Sequence, residues 1–185
     1  MCGDRASDPT PRRNEAGGAL AGAAPPPAAT YTEGQVIQTT TVVSTYHAGR
    51  LGFRVCRFAV GGGGPGAPSV AAAEAAALTE GCLDAAVLVQ ADVPGAQAPG
   101  DPWFHLGAMH PEGWRGNVST ALALPPGLTC DGVGARCVLQ WYYMTGNSCN
   151  PPGEAAQYLS NNGMGTCGTV SNPEEASEAA EANRD

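Results

Sequence analysis

The chain has 185 residues, a size that fits one domain. Its 26 Gly and 16 Pro against 6% aromatics exclude a helical bundle, whose interior turns such residues would break, and favour a β domain with long irregular loops. The net charge is −8, with nine basic residues, all arginine and scattered, so no basic stripe exists for nucleic acid.

Residues 1–30 read as an irregular N-terminal segment, with Pro25, Pro26 and Pro27 as a stiff turn. From Tyr31 to Tyr46 the chain turns β-branched and aromatic (Val36, Ile37, Thr39, Thr40, Thr41, Val42, Val43), the strongest strand signal in the sequence. Phe53–Phe58 is expected to pair with it antiparallel, with Phe53 and Val55 inward and Cys56 a further inward candidate. Gly61–Gly66 is a flexible loop without the Lys-Ser/Thr of a phosphate loop. Ser69 caps a predicted Ala-rich helix, Val70–Glu80, which Gly81 stops. Val87–Gln90 reads as a short strand, Trp103–Leu106 as an aromatic segment beyond the Pro94–Pro102 loop, and Val118–Leu124 alternates weakly up to Pro125 and Pro126. The last, Cys137–Tyr143, has three consecutive aromatics, with Trp141 assigned to the core. Residues 171–185 hold no apolar side chain larger than alanine and read as a solvated, disordered acidic tail. The predicted fold is an all-β, immunoglobulin/fibronectin III-like antiparallel β-sandwich over residues 31–170, with long Gly/Pro-rich loops and one short helix.

Seven cysteines without paired CxxC units point to disulfides in an oxidising compartment rather than to zinc. One set by proximity is Cys56 with Cys82, Cys130 with Cys137 and Cys149 with Cys167, leaving Cys2 free; it is one of many connectivities. The triplet Asn117-Val118-Ser119 is an N-glycosylation sequon and suits the same compartment. No apolar run is long enough to span a membrane, and Met1-Cys2-Gly3-Asp4 opens no signal peptide. A secreted composition with an odd cysteine and no leader leads to the expectation of an incomplete chain.

Hydrolytic machinery is not legible. No carboxylate pair stands in a distinctive core-strand context, as glycoside hydrolysis requires, and GxSxG is absent. Cys82 and Cys167 read as disulfide partners before catalytic thiols. His47, just after a strand and two residues before Gly49, is a candidate metal ligand or an ordinary surface histidine; His105 and His110 are not spaced as its partners. Trp103, Phe104 and Trp114 lie among Gly and Pro, where they either stack on sugar rings or pack on the sandwich.

The Cys137–Cys149 stretch resembles the C-terminal core strand of chitin-binding type-4 domains, the fold of one large group of copper-dependent lytic polysaccharide monooxygenases. Further segments resemble the same family in the same order: Cys2–Asp4, Arg12–Gly18, Ser44–Cys56, Asp101–Gly107 and Leu124–Cys130. The resemblance implies copper as cofactor, chitin or cellulose as partner, a secreted monomer and a metal held by a two-histidine brace. It makes His47 the second brace histidine, with Trp114 and Trp103 as polymer-stacking candidates. Two departures follow. Met1 and Cys2 stand where the family's first brace histidine would lie upstream, and after Glu175 the chain leaves the family pattern that supplies the last core strand. The resemblance therefore predicts a polysaccharide-binding domain with an incomplete oxidative site and negligible oxidative cleavage. A non-catalytic carbohydrate-binding or cell-wall module is the alternative.

Overall fold

A computed structural model of the chain describes residues 29–61, 67–107, 110, 113–146, 149–159 and 165–167. The N-terminal segment with Cys2, most of the Gly61–Gly66 loop and the acidic tail lie outside the described residues. Six strands and two short helices follow one another as β1 (Val36–Val43), β2 (Arg50–Ala59), α1 (Val70–Ala77), α2 (Glu80–Asp84), β3 (Val89–Gln90), β4 (Trp103–His105), β5 (Gly116–Ala123) and β6 (Ala135–Met144). They form two antiparallel three-stranded sheets, ordered β1-β5-β3 and β4-β2-β6.

Alternation in β1 and β2 sends one side chain in two to the interior. Ile37, Phe53, Val55, Leu88 and Leu122 form one buried cluster, and Val43, Leu51, Phe104, Leu106 and Val118 a second toward the other end. Each cluster draws residues from both sheets, as a sandwich core does.

The expected β1–β2 pair is not made. β1 pairs with β5, Val36 facing Ala123 through Val43 facing Gly116, whereas β2 pairs with β4 and β6. The 44–49 loop carries the chain across the end of the sandwich, so the apolar residues of β1 and β2 meet through the core instead of side by side. Residues 86–88 bond to β2, with Leu88 N–H donating to Phe53 O, before the chain joins β5 as β3. That crossover closes one side of the sandwich.

The opposite side is bounded by the edge strands β1 and β6. There lies the second difference from expectation: Trp141 is 36% exposed and Leu139 44%. Trp141 pairs across the sheet with buried Phe53, but β6 is the outermost strand of its sheet among the described residues. Its aromatic run predicted burial that the edge position withholds.

The predicted helix is two. Thr79 adopts extended backbone and its hydroxyl accepts from Cys82 N–H, which starts α2 afresh and leaves Gly81 inside a helix instead of ending one. Disulfides join Cys56 to Cys82, Cys130 to Cys137 and Cys149 to Cys167. The first ties α2 to β2; Cys56 is fully buried, on the opposite face of β2 from Phe53 and Val55. No described helix is long and apolar enough to cross a membrane.

Candidate functional site

His47 sits on the loop that carries the chain from β1 to β2, and its side chain is half-buried. The loop is held from both sides by main-chain bonds. Gly146 N–H donates to His47 O at 2.7 Å, and Leu106 N–H donates to Gly49 O at 2.7 Å. The Tyr143 hydroxyl donates to Ala48 O at 2.9 Å, and that of Tyr46 to Leu106 O. The turn is tight enough that Ala48 takes a φ of 50° and Gly49 one of 72°. Such a conformation is uncommon for alanine and costs about 1–3 kcal/mol, so the surrounding bonds must over-determine it. Gly49 has no alternative. A Cβ there would lie 1.9 Å from Met144 O and 2.8 Å from Gly146 N. The backbone carrying His47 is therefore fixed before any ligand arrives.

Two tyrosines, Tyr46 on this loop and Tyr143 bonded to it, are perturbed by burial. Desolvation pushes the Tyr143 phenol up to about 12, a hydrogen bond from the His47 backbone opposing it in part. Desolvation likewise raises Tyr46. Both phenols stay protonated at neutral pH, Tyr143 donating to the loop and Tyr46 from the loop to Leu106.

Beside His47 lies an aromatic group built on Tyr46. The rings of His110 and Trp114 stack face to face, 3.6 Å apart and 5° from parallel. Tyr46 meets both edge-on, at 6.1 Å and 6.3 Å. Trp114 also lies over Gly116, where a Cβ would come within 2.6 Å of its Cζ2. Trp114 is half-buried, and one face is already taken by the His110 imidazole. Trp103 is half-buried elsewhere, on the outer face of the β4-β2-β6 sheet. Its ring packs over Gly52, under the Arg50 guanidinium at 4.1 Å, and beside Tyr142 at 5.9 Å. Phe104 is buried in the core. The two tryptophans thus do not form one platform; Trp114 belongs to the His47 end and Trp103 to the outer face. Asn117 is exposed on the outer face of β5.

Sequence reasoning missed a buried charge network next to Trp103. Arg50 Nη1 donates to Glu154 Oε2 at 3.0 Å and its Nη2 to Pro152 O at 2.9 Å. Glu154 Oε1 meets His105 Nδ1 at 2.7 Å, and His105 Nε2 meets Asp101 Oδ2 at 3.2 Å. Tyr158 stacks on the His105 ring at 3.8 Å. The side chains of Arg50, Glu154 and His105 are 9%, 1% and 5% exposed. His105 has both ring nitrogens committed and offers no open lone pair. Nothing in the sequence announced the network, because Arg50 and Glu154 stand 104 residues apart.

The chain is similar to a solved lytic polysaccharide monooxygenase, AA15 from Thermobia domestica in the Cu(I) state, with 30% identity and a TM-score of 0.51. The match covers 78% of this chain and 59% of that one, so the chain spans about three-fifths of its neighbour's length. No protein-family model and no curated protein matches the chain. The fold is that of a lytic polysaccharide monooxygenase-like sandwich.

Copper is the metal of that neighbour's described state. Among the described residues, no group of three or more His, Cys, Asp or Glu is arranged to hold a metal ion. His47 offers one imidazole, His105 is spent on two carboxylates, and His110 is stacked on Trp114. One imidazole does not meet the several donors a selective copper site needs. The described residues do not fit a copper centre, and no chemical step is derived through one.

Proposed function

We propose that this protein is a secreted, monomeric polysaccharide-binding domain of the lytic polysaccharide monooxygenase type, acting on chitin or cellulose through the surface around His47. The observation carrying this reading is the rigid 44–49 loop. His47 lies on it at one end of a sandwich similar to a monooxygenase, and follows Tyr46, whose ring meets those of His110 and Trp114. Flat aromatic and imidazole rings suit the apolar faces of sugars, and the bonded loop holds Tyr46 and His47 in place before binding. Three disulfides and the lack of a membrane-crossing helix among the described residues support an extracellular setting. In this reading His47 is the one brace ligand carried by the described residues, and the oxidative site is incomplete.

A second reading is a non-catalytic carbohydrate-binding or cell-wall module, favoured by the lack of a three-donor cluster among the described residues. Depletion of the protein from solution by insoluble chitin and cellulose tests binding. The proposal predicts retention on at least one polymer, weakened by Trp114→Ala; no retention on either overturns both readings. Product analysis with copper and ascorbate separates them from an active oxygenase, since both predict no new oxidised chito- or cello-oligosaccharides.

A further inference from the structure

We propose that Asn117 carries an N-linked glycan that covers the outer face of the β1-β5-β3 sheet around Val42. Asn117-Val118-Ser119 is the only Asn-x-Ser/Thr triplet in the sequence. In the structure its three residues alternate as a strand requires: Asn117 and Ser119 are exposed, and Val118 is buried at 4%. The acceptor amide therefore points to solvent while the middle residue anchors the strand in the core. A glycan attached before folding is carried on the surface without displacing any core side chain.

The surroundings of Asn117 give the sugar something to cover. Its cross-strand partner is Val42, which is 72% exposed. Directly opposed residues on one face hold their Cβ atoms about 5 Å apart, so the first sugar reaches the Val42 methyls. The same face carries exposed Val36, Gln38 and Thr40 on β1 and exposed Ser119 on β5, and both helices pack against β2 of the other sheet. Nothing described in the chain shields Val42. β1 is moreover an edge strand among the described residues, and a bulky glycan one strand away hinders edge-to-edge pairing.

The chemistry is a group transfer without redox change. The bond formed joins Asn117 Nδ2 to the anomeric carbon of an oligosaccharide carried on a polyprenyl pyrophosphate. The bond broken is that carbon's link to the pyrophosphate oxygen. The pyrophosphate leaves with the electron pair, and the amide gives up one proton to solvent. The three disulfides fit an oxidising compartment, and the endoplasmic reticulum, where such a donor is used, is one of these.

The test is expression of the full chain behind a secretory leader in a eukaryotic host, with glycopeptide mapping of secreted and cell-associated protein. The expected result is glycan at Asn117, a mass shift removed by N-glycan amidase, and loss of that shift in both Asn117→Gln and Ser119→Ala. Both variants should unfold at the temperature of enzymatically deglycosylated parent protein, which separates loss of the acceptor from loss of the fold. An unmodified Asn117 in folded protein overturns the proposal, as does a glycan that persists in Ser119→Ala.

Discussion

Replacing Glu154 by Gln removes one charge from a network that is almost entirely out of water. Glu154 takes Arg50 at 3.0 Å on one oxygen and His105 at 2.7 Å on the other, with its own side chain 1% exposed. Glutamine keeps the shape, but one oxygen becomes an NH2 donor. Either Arg50 or the ring nitrogen of His105 then faces that amide, and the guanidinium, whose Nε has no hydrogen-bond partner among the described residues, loses its counter-charge. Removing one partner of a buried ion pair costs about 3–5 kcal/mol, because the other charge stays buried and uncompensated. For a chain of this size each kcal/mol moves the midpoint about 2–4 °C, so the melting temperature should fall by about 6–20 °C. Thermal unfolding followed by circular dichroism measures it directly. The matched control is Glu80→Gln, which also loses an arginine contact (Arg54, 2.9 Å) but whose side chain is 65% exposed. An exposed pair contributes about 0.2–1 kcal/mol, so that variant should lose no more than about 4 °C. A loss for Glu154→Gln below about 1 kcal/mol, or equal to that of Glu80→Gln, would refute the reasoning that the buried network holds the 150–158 segment to the sheet.

Other outcomes follow from the loop itself. Gly49→Ala should destabilise by at least about 1–3 kcal/mol through its φ alone, and more through the clash with Met144 O, as chemical denaturation will show. Tyr143 gives a pH dependence whose sign is fixed. Its folded value of about 12 lies above the ordinary 10.0, so between those pH values the unfolded chain releases the proton first and stability falls. The contribution is whole below pH 10 and lost on approaching pH 12. Tyr143→Phe should flatten part of that alkaline slope in denaturation midpoints taken across the window, and an unchanged slope would contradict it. Copper(II) titration should detect only weak binding, abolished in His47→Ala; tight binding that survives His47→Ala would show that another donor set holds the metal.

Much of the architecture was legible because strand signals are local. The β-branched run Val36–Val43 and the alternation around Phe53 and Val55 specify strands whatever they pair with. Pairing was not legible. β1 and β2 are neighbours in sequence yet lie in different sheets, because the 44–49 loop crosses the sandwich end, and no local pattern records that choice. Trp141 shows the same limit, since three aromatics in a row say strand but do not say edge. At the site, His47 was legible as a residue, from its turn and from Gly49. Its rigidity was not, because the holding groups (Leu106, Tyr143 and Gly146) come from segments far along the chain. The Arg50–Glu154–His105 network escaped for the same reason, and the stacking of His110 on Trp114 could not be read from a four-residue spacing in a loop.

The most direct test of the account is hydroxyl-radical footprinting of the protein free and bound to insoluble chitin or cellulose. If the His47 end is the polymer-facing surface, His47, His110 and Trp114 lose reactivity on binding, while exposed Val36 and Trp141 along the edge strands keep theirs. Protection confined to those edge strands, or none around His47 in protein that is demonstrably bound, would contradict it.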